Sequence, residues 1–195
     1  SPSGLLDGPT AYWSSTPWPE NTDVAFFEDL LDALEAELCV DTARIYSTGM
    51  SNGAQMSSVL ACQLSERITA VAPVAGVEFS EVCDGEQVPV MAFHGAADPI
   101  VTYEGGGLNG ATITGMHNFK GEVPDGVPTH DGVDASMARW SANNGCDPEP
   151  VEEQVSPSIR RFEWQNCDAA TILYVHDGGG HAWPGKPQPA FEAQF

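Results

Sequence analysis

The chain is 195 residues long and carries 28 Asp and Glu against 7 Lys and Arg, a formal charge of −21. Such a surface excludes a nucleic-acid partner, which needs a basic footprint, and makes an anionic polymer a poor substrate. A hydrophobic content of 42 %, with 5 Trp, 4 Tyr and 8 Phe, is enough for a core and argues against disorder, while no apolar run approaches the roughly 18 residues that cross a bilayer.

The length corresponds to one domain, residues 1–195, and 20 Gly with 15 Pro point to a loop-rich fold rather than a helical bundle. A dense anionic shell keeps a protein soluble at the cost of self-repulsion that salt relieves. That fits a saline or extracellular habitat, or simply a family with an acidic surface.

Residues 1–20, rich in Pro, Ser and Trp, read as a loop. Asn21 or Thr22 can cap a helix running to about Leu38, with Val24, Phe27, Leu31, Leu34 and Leu38 at helical spacing and Glu28, Asp32, Glu35 and Glu37 facing water. Residues 44–48 are a short β-prone run that ends at Gly49. A second helix is expected from Asn52 to about Leu64, buried through Met56, Val59, Leu60 and Leu64. Residues 70–75 and 88–93 are apolar strands without polar alternation, the pattern of strands covered on both faces in a parallel sheet. Residues 99–130 have much Gly and no period, and form a long excursion. A helix over 134–143, stopped by Gly145, precedes strands at 159–164 and 171–176. Helices alternating with buried strands make the fold α/β.

The strongest local signal is Gly49-Met50-Ser51-Asn52-Gly53, between the 44–48 strand and the Asn52 helix. This is the G-x-S-x-G nucleophile elbow, a sharp strand-to-helix turn that lifts a serine Oγ above the sheet edge. Its flanking glycines are expected to be required because side chains there would collide with neighbouring elements. The Asn52 N–H, at the helix N-terminus, is placed to bind an oxyanion.

A nucleophilic serine needs a base, and the base needs an orienting acid, in the chain order Ser, Asp or Glu, His. Downstream, residues 88–93 run into His94-Gly95-Ala96-Ala97-Asp98-Pro99, which puts Asp98 in a loop after a strand's C-terminal end, where functional groups of parallel sheets collect. The last strand runs into Asp177-Gly178-Gly179-Gly180-His181, whose glycines let a loop approach closely and deliver His181 as general base. His94 and His176 lie at strand ends, where a structural hydrogen bond is the simpler role, and His117 and His130 lie in the excursion. Asp177 is the rival acid, but four residues from His181 in one loop it approaches Nδ1 awkwardly.

The five cysteines are Cys39, Cys62, Cys83, Cys146 and Cys167, with no C-x-x-C and no Cys/His cluster of zinc spacing, so no structural metal is expected. Cys62 and Cys83 lie 21 positions apart, as do Cys146 and Cys167; a disulfide closing a loop of that size contributes about 3 kcal/mol in the chain-entropy model. Disulfides would imply an oxidising compartment; the other reading is five buried thiols in a cytosolic enzyme.

Taken together, residues 39–46, the elbow 49–53, Ala72-Pro73-Val74-Ala75-Gly76, His94-Gly95-Ala96-Ala97-Asp98-Pro99 and Gly178-Gly179-Gly180-His181-Ala182-Trp183-Pro184-Gly185 resemble the secreted esterases that group feruloyl esterases with polyhydroxybutyrate depolymerases. The similarity runs from about Asp23 to Gly185, and Asn144-Gly145-Cys146 with a later cysteine matches the same pattern. The resemblance implies an α/β-hydrolase fold, with Ser51 as nucleophile, Asp98 as acid and His181 as base. It also implies the disulfides Cys62–Cys83 and Cys146–Cys167, leaving Cys39 over.

One departure stands out. Hydrolases of this kind place several strands before the nucleophile, including a His-Gly loop that supplies the second oxyanion N–H. Here Ser51 comes early and no His-Gly precedes it. The expectation is a piece of a larger catalytic domain, lacking N-terminal strands and a closing C-terminal helix, whose missing part holds the partner of Cys39. The alternative is a minimal hydrolase that builds its oxyanion hole internally, near Gly105.

Trp183 could line the acyl or alcohol pocket or merely pack beside Pro184; Trp13 and Trp18 could form an aromatic wall or serve structure. The expected function is a secreted serine carboxylic-ester hydrolase, without cofactor, acting on feruloyl or aryl esters of plant polysaccharide. Alternatives are a polyhydroxybutyrate depolymerase, a serine peptidase and a non-catalytic hydrolase-fold binding module.

Overall fold

A computed structural model of the chain describes residues 5–6, 11–14, 21–80, 83, 85–107 and 129–186. Two short strands, β1 (Leu5–Leu6) and β2 (Ala11–Tyr12), pair antiparallel ahead of helix α1 (Thr22–Glu37). The expected cap is present: the Asn21 side chain accepts the amides of Asp23 at 3.0 Å and Val24 at 3.3 Å, satisfying two of the orphan donors of the first turn.

The apolar stripe of α1 is shorter than its spacing suggests. Val24 is buried and Phe27 and Leu31 pack against the core, but Leu34 and Leu38 are 38 % and 59 % exposed. The contact of the apolar stripe with the core ends at Leu31.

The main sheet has the order β3 (Tyr46–Met50), β4 (Ala70–Val74), β5 (Val90–Gly95), β10 (Thr171–His176), β9 (Ile159–Glu163), β8 (Val151–Ser156). The first four are parallel, and β9 runs antiparallel to both of its neighbours, β10 and β8. Helix α2 (Asn52–Gln63) follows β3 and buries Met56, Val59, Leu60 and then Leu64, the predicted residues. A two-stranded ladder joins β6 (Gly106–Gly107) to β7 (Thr129–His130) within the predicted excursion, and helix α3 (Val133–Asn143) leads into β8. Gly145, at φ 68°, stops α3 as expected.

Strand β8 has no signal in the sequence. Its Glu152-Glu153-Gln154 core lacks β-branched residues, and Val151 and Val155 are more than half exposed. Cross-strand charge holds it instead: Glu153 faces Arg161 in register at 3.5 Å, and Arg160 reaches Glu152 at 3.8 Å.

Of the two faces expected to be covered, the described helices account for one. The core cluster takes Val71, Val90, Ala92, Leu173 and Val175 from the sheet, together with residues of α1, α2 and α3. On the alternate positions Val74 and Ile172 are buried and Phe93 stacks half-buried on Tyr174, whereas Tyr46 is 63 % and Met91 40 % exposed. Among the described residues the helices cover one face.

Disulfides join Cys62 to Cys83 and Cys146 to Cys167, the pairs the resemblance implies, and Cys39 is free and exposed. The first ties the end of α2 to the loop after β4; the second ties the entry of the β8–β9 hairpin to its exit. Between them Asn144, fully buried, donates to Val88 O and Thr171 Oγ1, both at 3.0 Å, and so fastens α3 to β10.

Candidate active site

The C-terminal ends of β3, β5 and β10 lie on one edge of the sheet, and from them come Ser51, Asp98 and His181. Ser51 sits at φ 58°, ψ −124°, a conformation costing about 1–3 kcal/mol for a residue with a side chain. Its peptide is held on both sides: Ser51 N donates to Val74 O at 2.9 Å, and Ser51 O accepts from Ala54 N at 2.8 Å and Gln55 N at 3.1 Å. The Asn52 N–H is the first amide of α2, one of the donors a helix leaves unpaired.

The glycines of the elbow are not equivalent. A Cβ on Gly49 would run into the Gly53 backbone, as expected, but a Cβ on Gly53 would meet nothing. The second steric constraint belongs to Gly76, where a Cβ would lie 2.6 Å from Ser51 O. Gly53→Ala is therefore expected to gain about 0.5–1 kcal/mol from helix propensity, whereas Gly76→Ala should lose about 1–3 kcal/mol. Urea unfolding of the two variants compares them directly.

The Asn52 side chain is committed to structure. Its Oδ1 accepts from Trp13 N at 2.6 Å and its Nδ2 donates to Trp13 O at 2.9 Å, a two-point clamp across 39 residues. The Trp13 ring packs on Phe26 and Phe27, with centroids at 6.4 and 5.1 Å. Trp13 is therefore a packing residue rather than an aromatic wall, and Trp18 lies outside the described residues.

Asp98 and His181 are both buried, 4 % and 3 % exposed, and His181 Nδ1 meets Asp98 Oδ2 at 2.8 Å. Asp98 Oδ1 accepts from Ile100 N at 2.8 Å and Val101 N at 3.0 Å, so the carboxylate is fully held. The two loops are strapped together: Ala97 N donates to Gly179 O and Ala96 N to His176 O, each at 2.9 Å. Gly95 permits this approach, since a Cβ there would collide with the Gly179 carbonyl.

The rival acid is occupied elsewhere: Asp177 pairs with Arg160 Nε at 2.8 Å. His176 is exposed, and His130 Nδ1 bonds the Asp131 carbonyl. His117 lies outside the described residues. Trp183, two positions past His181, is 44 % exposed. Gly105 N is bonded to Thr102 O, so that amide is not a spare oxyanion donor. No hydrogen bond joins Ser51 Oγ to His181 among the described residues, a contact that is commonly long before substrate binds. Nor do three or more metal-ligating side chains converge among those residues.

Two neighbours complete the site: His94 makes the structural hydrogen bond expected of it at a strand end, and Glu78 has no signal in the sequence. His94, i and i+4 with Asp98, lies 3.6 Å from Asp98 Oδ2 and donates from Nε2 to Val101 O at 2.8 Å. Glu78, on the loop after β4, accepts from Gln55 Nε2 at 2.8 Å, one helical turn from Ser51. Burial raises the Glu78 pKa above its ordinary 4.5, opposed by the Gln55 bond and by His130, and abetted by Asp131. The folded state thus penalises the ionised form. The stability this group contributes is full below 4.5 and is lost as pH rises through the folded value. Glu78→Gln should accordingly raise Tm at neutral pH and leave it nearly unchanged below 4.5, which thermal melts at the two pH values will show.

No family model matches the chain. Over 183 residues, 89 % of the chain, it is 32 % identical to feruloyl esterase B of Piromyces equi, covering 31 % of that protein. It is 32 % identical to feruloyl esterase D of Neurospora crassa, across 90 % of the chain and 51 % of that protein. It is 29 % identical to a probable feruloyl esterase C of Aspergillus niger, across 94 % and 57 %. The chain is related in sequence to feruloyl esterases. It spans between about a third and just over half of the length of these relatives. Among solved structures, an acetyl xylan esterase from Aspergillus awamori superimposes with a TM-score of 0.61 at 15 % identity, covering 91 % of the chain and 70 % of that structure. The fold is of the α/β-hydrolase kind: a mostly parallel six-stranded sheet with flanking helices.

Proposed function

We propose that the chain belongs to the catalytic domain of a serine carboxylic-ester hydrolase, acting on feruloyl or similar aryl esters of plant polysaccharide. The observation that carries this reading is the buried Asp98–His181 hydrogen bond on the same sheet edge as a serine held at φ 58°. The sequence relation to feruloyl esterases supports the substrate class. A formal charge of −21 suits a neutral ester better than an anionic one.

In this reading Ser51 Oγ attacks the ester carbonyl while His181 Nε2 takes its proton. Asp98 fixes the tautomer by accepting from Nδ1, and the Asn52 N–H donates to the tetrahedral oxyanion. The intermediate collapses as His181 returns the proton to the departing alcohol. Water, deprotonated by His181, then attacks the acyl-enzyme and frees Ser51. No step uses a cofactor. Trp183, exposed beside His181, is available to the acyl or alcohol group. Two disulfides, and no helix among the described residues able to cross a membrane, support secretion.

The test is a panel of methyl ferulate, a short-chain aryl acetate, a 3-hydroxybutyrate oligomer and a peptide anilide, compared by kcat/KM. Methyl ferulate and the aryl acetate should be hydrolysed and the anilide left intact. Preference for the oligomer would move the assignment to a polyester depolymerase, and anilide cleavage to a peptidase.

A further inference from the structure

We infer that His94 is a positioning residue for Asp98, acting through the Val101 backbone, whose carbonyl and N–H lie on either side of one Cα; this rests on reading Asp98 as the acid of the triad. The two are linked by a chain of two hydrogen bonds through the Val101 backbone. His94 Nε2–H donates to Val101 O at 2.8 Å, and Val101 N–H donates to Asp98 Oδ1 at 3.0 Å. Asp98 Oδ2 in turn meets His181 Nδ1 at 2.8 Å and lies 3.6 Å from His94 Nε2. The side chains of His94 and Asp98 are wholly inaccessible.

The protonation state of His94 follows from its partners. A carbonyl needs a donor, so the proton is on Nε2. Nδ1 is buried and has no partner. A second proton there would create an unsatisfied buried N–H and a buried cation, which is why burial lowers the His94 pKa despite the Val101 bond and the nearby Asp98 charge. His130 and His181 oppose the same proton, and Tyr103 packs edge-on at 5.9 Å between centroids. A neutral ring therefore fixes one face of the 98–101 turn without titrating against His181.

Without that N–H, the buried Val101 carbonyl is orphaned. The turn then relaxes toward another donor, and the Val101 amide moves with it. Asp98 loses one of the two amides that aim it at His181, and the imidazole is no longer held for Ser51. Substrate touches none of these atoms, so the loss falls on kcat.

The experiment compares His94→Leu, which removes the donor, with His94→Gln, whose amide nitrogen stands near the position of Nε2 and does not titrate. Displacing a catalytic group by an ångström costs up to about 10²-fold in rate. For aryl acetate hydrolysis, H94L should lose about 10- to 100-fold in kcat with KM within about twofold, and H94Q should stay within about threefold. The kcat/KM pH midpoint should be the same in H94Q and wild type. A proton NMR readout is independent of turnover: the low-field His181 Nδ1–H signal should persist in H94Q and be lost or displaced in H94L. Should H94L not fold, His94→Asn, too short to reach Val101 O, takes its place. A folded H94L or H94N with wild-type kcat and an unmoved signal overturns the inference. So does an H94Q as impaired as H94L, since the ring rather than its N–H would then matter. Failure of the reading of Asp98 as the acid looks different, because Asp98→Asn would then keep near-normal turnover.

Discussion

Replacing Ser51 with alanine is expected to lower kcat by about 10⁴- to 10⁶-fold, the scale on which loss of a serine nucleophile is felt in triad hydrolases. The fold should survive. The strained turn is held by backbone bonds from Val74, Ala54 and Gln55 and by the absence of side chains at Gly49 and Gly76, none of which involves Oγ. Alanine also tolerates the elbow no worse than serine does, since both carry a single Cβ. KM should change little, because the acyl and alcohol groups keep their contacts. Steady-state kinetics alongside circular dichroism will check both halves of this expectation.

The second large effect is expected at Asp98. In Asp98→Asn the side-chain oxygen can go on accepting from the amides of Ile100 and Val101, whose N–H groups offer no alternative. The new NH₂ then faces His181 Nδ1. Two donors cannot share that contact, so Nδ1 becomes an acceptor and the imidazole proton moves to Nε2. The base is thereby blocked on the side it presents to Ser51. A loss of about 10⁴-fold in kcat is expected, with the burial and packing of the site intact. The change of tautomer can be followed in ¹⁵N-labelled protein, where the protonated nitrogen of His181 should switch from Nδ1 to Nε2.

Much of this site can be read in the sequence because its parts are local. The elbow sets Gly49 two positions from Ser51, and the loop that delivers His181 passes close to His176 at Gly179, both within a short stretch of chain. Asp98 was separable from Asp177 because four residues of one loop cannot turn back on themselves comfortably, and the structure gives Asp177 to Arg160 instead. What is not legible depends on distant partners. Strand β8 offers only Val151 and Val155 as β-prone residues, both more than half exposed, and is held by its ladder with β9 and the ion pairs to Arg160 and Arg161. Trp13 is as apolar as a pocket wall would be, and only the Asn52 clamp and the ring contacts with Phe26 and Phe27 assign it to packing. The elbow motif names Gly53, yet the crowded position is Gly76, twenty-three residues further on and known only once β4 lies beside β3. The role of His94 depends on the path of the 98–101 turn, which no spacing rule supplies.

The proposal that Ser51 is a nucleophile activated through His181 and Asp98 is tested most directly by a serine-directed aryl phosphonate, with the adduct located by peptide mass mapping. Wild-type protein should take up one equivalent, on the peptide containing Ser51. The Ser51→Ala variant should take up none, and Asp98→Asn should react far more slowly at the same residue. Absence of labelling in folded wild-type protein, or an adduct on any other residue, would contradict the account.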